Sequence, residues 1–75
     1  MKSVKEDVIN LIIETEKEID QEQRDELITP EIWMKKRAYL RSVTYVAYDV
    51  EPDLEGAAET LVGIVSTINL IKKYR

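Results

Sequence analysis

The sequence predicts an all-α protein, a three-helix antiparallel bundle with helices over about 3–27, 30–49 and 53–74 that associates with itself. Three observations lead there. Two proline-bearing marks, Thr29-Pro30 and Glu51-Pro52-Asp53, cut a 75-residue chain into three segments. Proline suits the first turn of a helix and disfavours helix for the residue before it, so each mark reads as one helix stopping and the next starting. Apolar residues recur at helical spacing in all three segments. No glycine-rich linker, repeat or low-complexity tract interrupts them.

The first helix opens on Ser3-Val4-Lys5-Glu6, which has the S-x-x-E form of a capping box. Its apolar face is Val4, Val8, Leu11, Ile12, Thr15 and Ile19. Beyond Ile13 the chain is almost wholly polar, but Glu, Gln, Lys and Arg are good helix formers, so the helix is expected to reach Leu27.

The second helix is expected to start at Pro30 with Thr29 as its cap. Ile32, Trp33, Tyr39, Leu40, Val43, Val46, Ala47 and Val50 form its apolar stripe. The rival for residues 42–50 is a strand, because SVTYVAYDV is rich in β-branched and aromatic residues. Alternation would leave both sides of that strand mixed, and no other segment looks extended enough to pair with it. Periodicity therefore favours helix.

The third helix is expected to open at Pro52-Asp53 with acids in its first turns. It closes on Lys72-Lys73-Tyr74-Arg75, so both ends complement the helix dipole. Its main face is Leu54, Ala57, Ala58, Leu61, Ile64, Val65, Ile68 and Ile71.

Composition excludes a good deal. The chain has no cysteine and no histidine, which removes disulfides, thiolate sites, and the commonest metal ligand and general base. A chain of this length buries only about 60% of its unfolded surface, so it needs efficient helix packing, self-association, or both. No secretory leader pattern is visible at Met1. The longest nearly apolar run, residues 61–71, falls short of the roughly 20 residues of a membrane span. The expectation is a cytoplasmic protein without membrane contact.

Net charge is −4, and its distribution is blocked. Residues 1–31 carry four basic and ten acidic side chains; residues 32–48 carry four basic and no acidic ones. Residues 49–59 carry five acids and no base, and residues 60–75 three bases and no acid. Blocks of alternating sign suggest neighbouring elements with complementary faces, the acidic half of helix 1 lying near the basic side of helix 2.

Two second faces stand out. On helix 2, Met34, Arg37, Ala38, Arg41, Tyr45 and Tyr48 line up opposite the core stripe. Met, Arg and Tyr are enriched at protein interfaces, so Met34, Arg37, Arg41, Tyr45 and Tyr48 are the candidate contact residues. Tyrosines covering core edges beside solvated arginines would look the same. On helix 3, Gly56, Thr60, Gly63 and Thr67 share a narrow row. Glycine within a helix costs roughly 0.5–1 kcal/mol relative to alanine, and close approach of another helix would explain it. That argument points to a homodimer or higher oligomer.

Catalytic chemistry is hard to find. Glu18, Glu22 and Asp25 or Glu26 share a helix side, as in carboxylate metal sites, but only Asp53, Glu55 and Glu59 could face them. No phosphate-cradling loop or activated nucleophile is present. The basic and tyrosine-bearing face of helix 2 could grip nucleic acid, against the pull of a pI near 4.8. An acidic arm that mimics DNA is equally consistent with the charge. The expected function is a small non-enzymatic adaptor or regulator acting through protein contacts, of a kind found among phage and plasmid accessory proteins. No cofactor or metal is expected. The expected partners are a second copy and an unidentified protein. Nucleic-acid binding and a metal-dependent hydrolase are the alternatives.

Overall fold

Each predicted segment is one helix, and the bounds show which local signals won. The computed structural model describes residues 4–74, with α1 over Val4–Arg24, α2 over Pro30–Asp49 and α3 over Ala57–Lys73. All three pairs of helices are in contact. Among the described residues there is no strand: residues 42–49 are helical and Val50 is the extended residue that closes α2. Ser3, the expected cap of α1, lies outside the described residues.

α1 stops three residues before the expected Leu27, and the reason is a turn rather than a weak helix former. Glu26 takes the left-handed conformation with φ 59°. The Leu27 N–H donates to the Glu22 carbonyl (2.9 Å) and the Glu26 N–H to the Gln23 carbonyl (3.1 Å). That pair of bonds is a Schellman motif, with Glu26 where glycine usually stands. The reversal lets Ile28, 8% exposed, fold into the core immediately after the turn.

α2 begins as expected. Thr29 Oγ1 accepts the Ile32 N–H at 3.2 Å, and Pro30 occupies the first turn, where its missing N–H costs nothing. Within the helix, Ser42 and Thr44 donate their hydroxyls to the carbonyls of Ala38 and Leu40, which satisfies them without strand pairing.

α3 starts at Ala57, four residues after the expected Asp53. Gly56 adopts φ 85°, ψ −6°, a left-handed conformation that a helix cannot run through. Residues 51–56 form turns, closed by Leu54 N–H to the Glu51 carbonyl and Ala57 N–H to the Leu54 carbonyl. Three expected assignments therefore change. Gly56 precedes the helix rather than sitting inside it, and a left-handed turn accounts for it. Leu54 lies in the connection and is 66% exposed, and Ala58 is exposed as well. Asp53 and Glu55 belong to the connection, leaving Glu59 as the acid in the first turn of α3.

The core is the inner edge of three stripes spaced alternately by four and three residues. α1 contributes Val8, Ile12, Thr15 and Ile19; α2 contributes Leu40 and Ala47; α3 contributes Ala57, Leu61, Ile64, Ile68 and Ile71. Leu11, Ile32, Trp33, Val43, Val50 and Val65 pack around them, half-buried. Val4, Tyr39 and Val46, expected on the inner faces, are exposed. Thr15 is buried and donates its hydroxyl to the Leu11 carbonyl at 2.7 Å, which removes the cost of a hydroxyl in the core. The bundle measures 41 × 21 × 16 Å.

Candidate functional site

The densest polar cluster joins α1 to α2. Trp33 donates its indole N–H to Asp20 Oδ1 at 2.8 Å, and Arg37 Nη1 donates to both oxygens of the same carboxylate at 2.9 Å. Arg37 also reaches Glu16 at 3.3 Å and lies 5.7 Å from the centroid of the Trp33 ring, inside cation–π range. The Trp33 hydrogen bond, then the Arg37 hydrogen bond and charge, hold the Asp20 carboxyl below its ordinary value of 3.8, against the opposing effect of partial burial. This is an inter-helix staple, with every group engaged by its neighbour.

Lys36 is the second polar feature, and it is completely buried. Its Nζ lies 3.4 Å from Glu22 Oε1 on α1 and donates to the Lys72 carbonyl of α3 at 3.1 Å. One ammonium thus touches all three helices, neutralises a carboxylate and caps the C-terminal end of α3. Lys5 treats α2 in the same way. It donates to the carbonyls of Tyr48 and Val50 at 2.8 Å, where α2 has no basic residue in its own last turn. Among the described residues no buried side-chain nitrogen or oxygen lacks a partner. Lys36, Trp33, Asp20 and Lys5 were not among the predicted site residues. Lys36 had a readable signal, since Trp33, Leu40, Val43, Ala47 and Val50 step by threes and fours with Lys36 filling the one gap.

The predicted contact stripe on α2 divides. Arg37 turns towards α1 and is occupied there. Arg41 is exposed and lines a shallow groove with Glu16, Arg37, Leu40 and Thr44. Met34, Tyr45 and Tyr48 are 62%, 66% and 55% exposed, so they stand on the outside as expected.

On α3, Thr60, Gly63 and Thr67 are exposed, and a Cβ built on Gly63 would meet nothing within 4 Å. Thr60 and Gly63 face outwards, while Thr67 stands on the side of α3 that borders α2. Tyr39, Ser42 and Val43 of α2, Thr67, Leu70 and Ile71 of α3, and Tyr74 just after α3 line an almost wholly apolar groove. The Tyr39 and Tyr74 rings meet edge to face at 5.9 Å across one end of it.

The basic cluster of α2 is mostly spent inside the molecule. Lys35 pairs with Glu31 at 3.3 Å, which raises its pKa, while Lys36 and Arg37 pair with α1. Of the acids weighed as metal ligands, Glu22 faces Lys36 and Glu18 lies 3.6 Å from Lys72. Among the described residues no group of three or more carboxylates is placed to hold a metal ion, and no helix is long and apolar enough to cross a membrane. Comparison with known protein families, with curated proteins and with solved structures gives no match to this chain.

Proposed function

We propose that this chain is a small non-enzymatic helical adaptor or regulator that works through protein–protein contacts, in the cytoplasm and as a homo-oligomer. The observation that carries the reading is where the large apolar side chains lie. Met34, Tyr45 and Tyr48 are exposed on one side of α2, and Tyr39, Val46 and Leu70 are exposed along the α2–α3 side, on a molecule of only 75 residues. Neighbouring exposed aromatic and aliphatic groups on a small protein mark contact surfaces, and α2 carries two such groups, one on its outer side and one beside α3. The polar clusters support the same reading from the other direction, because among the described residues each is satisfied internally.

The test is absolute mass by light scattering across a hundredfold range of concentration. An assembly that persists on dilution supports the reading, and a monomer throughout removes the homo-oligomer. The nucleic-acid alternative is weakened because three of the four basic side chains in residues 32–48 face acids of the same chain. Titration with duplex and single-stranded DNA at about 50 mM salt, where phosphate contacts are strongest, checks it. Tight, salt-sensitive binding there would favour nucleic acid over protein.

A further inference from the structure

The outer α2–α3 face carries a pattern that matters only if a second copy reads it. Along α2, the row that runs through the groove residues Tyr39 and Ser42 steps by fours and threes as Lys35, Tyr39, Ser42, Val46 and Asp49, and all five are exposed. The row is base, apolar, serine, apolar, acid. Along α3, the matching row is Glu59, Gly63, Ser66, Leu70 and Lys73, again all exposed. This one runs from acid to base about its own serine.

The two helices are antiparallel. Lys36 bonds to the Lys72 carbonyl and Tyr39 meets Tyr74 at one end, while the short connection joins Asp49 to Ala57 at the other. Lys35 and Lys73 therefore lie at the same end of the face, with Asp49 and Glu59 at the opposite end. Counting from the Lys36–Lys72 level, Ser42 and Ser66 fall at a common height near its middle.

We propose that this face is a self-docking surface, on which a second copy packs across a two-fold axis perpendicular to the helices at the level of Ser42 and Ser66. The proposal rests on the homo-oligomer reading above and specifies its surface and symmetry. A two-fold axis lying in the face and crossing the helices sets α2 against the α2 of the other copy, and α3 against its α3, each reversed in direction. Lys35 then meets Asp49 of the second copy, and Lys73 meets Glu59, at both ends of the interface. Tyr39 meets Val46. Leu70 comes over Gly63, where the open space above the glycine receives it. A two-fold axis along the helices would instead stack Lys35 on Lys73 and Asp49 on Glu59, a repulsive arrangement. Glu31, paired with Lys35 in the same chain, offsets part of the basic end, but that exposed pair is weak and yields to a better-placed carboxylate. The apolar groove floor and the small residues at the centre supply close packing, and the charges select one orientation.

Two experiments test this on the full chain, with far-UV circular dichroism confirming helix content for each variant. The chain has no cysteine, so single cysteines report proximity cleanly. Ser42→Cys and Ser66→Cys each sit on the proposed axis and should give disulfide-linked dimers under mild oxidation, whereas Tyr45→Cys should not. Second, Lys35→Glu with Lys73→Glu makes one variant acidic at both ends, and Asp49→Lys with Glu59→Lys makes another basic at both ends. Each alone should dimerise at least about tenfold more weakly than the parent, and an equimolar mixture should restore a 1:1 dimer. A dimeric parent that is indifferent to these charge changes, or that cross-links through Tyr45→Cys and not at the serines, overturns the proposed face and leaves the homo-oligomer reading intact. A parent monomeric at all concentrations overturns both.

Discussion

The α1–α2 side and the α2–α3 side of this bundle are held by opposite means. Across α1–α2, Asp20, Trp33, Arg37 and Glu16 form a directional network of short bonds. Across α2–α3, the described contact is apolar and aromatic, with the Lys36 hydrogen bond to the Lys72 carbonyl at the end of the bundle, and the ion pair of that lysine belongs to α1. Directional bonds fix register and leave little for an outside molecule to do. A smooth apolar seam with small residues on its crest fixes less and offers more. The same helix α2 thus turns a finished side to α1 and an unfinished side outwards beyond α3.

The comparison is broken most forcefully at Lys36. Lys36→Ala leaves Glu22 facing a cavity and removes the cap on α3, and should cost about 3–5 kcal/mol in denaturant unfolding. Lys36→Met, which fills the space without a charge, should cost much less. A Met variant as damaged as the Ala variant would mean that the charge itself holds the three helices together.

The next effect belongs to the staple. Arg37→Ala should lose about 1.5–3 kcal/mol, the usual size of hydrogen bonds to a charged group. Its partner gives the pH signature. Asp20 has a folded pKa below its ordinary 3.8, so its contribution is fully present above that value and is lost as pH falls through the folded one. Tm measured against pH should therefore show Asp20→Asn less stable than the parent at neutral pH, with the difference shrinking below about pH 4. A constant difference across that range would mean the asparagine acts through packing rather than charge.

On the unfinished side the expected sign reverses. Gly63→Ala adds a methyl group into open space on a helix, so it should raise the stability of the isolated fold by about 1 kcal/mol. The same change should weaken self-association by obstructing Leu70 of the second copy, which unfolding measurements at low and high protein concentration would separate. The smallest effect tests the turn after α1. Glu26→Gly relieves a left-handed non-glycine residue and should stabilise by about 0.5–1 kcal/mol, read from the denaturant midpoint.

Much of this architecture was readable in the residues. The proline marks located both connections, Thr29 announced itself as a cap, and helical spacing overrode the strand propensity of residues 42–50. The charge blocks correctly placed the acidic half of α1 against the basic side of α2, as the pairs of Arg37 with Asp20 and of Lys36 with Glu22 show. The errors came from backbone conformations that single residues do not advertise. A glutamate in the left-handed region ended α1, and Gly56 delayed α3 although Pro52-Asp53 looked like a start. Lys36 was missed for a different reason. A lysine among lysines and arginines reads as surface, and only its position in the three-four stripe revealed that it pointed inwards. Of the candidate contact residues, Met34, Tyr45 and Tyr48 stand outside as read, while Arg37 is committed to α1, a choice decided by the distance to Asp20 that no linear pattern gives.

Two of the three helices end on a lysine borrowed from elsewhere, Lys5 for α2 and Lys36 for α3. A helix that closes its own last turn can fray and re-form privately. Here the last carbonyls of α2 are released when α1 lifts, and those near the end of α3 when α2 shifts. The caps therefore run in one direction, α1 holding the end of α2 and α2 holding the end of α3. Displacing α1 thus exposes carbonyls of α2 as well as its own, so fraying of the one helix is coupled to fraying of the next.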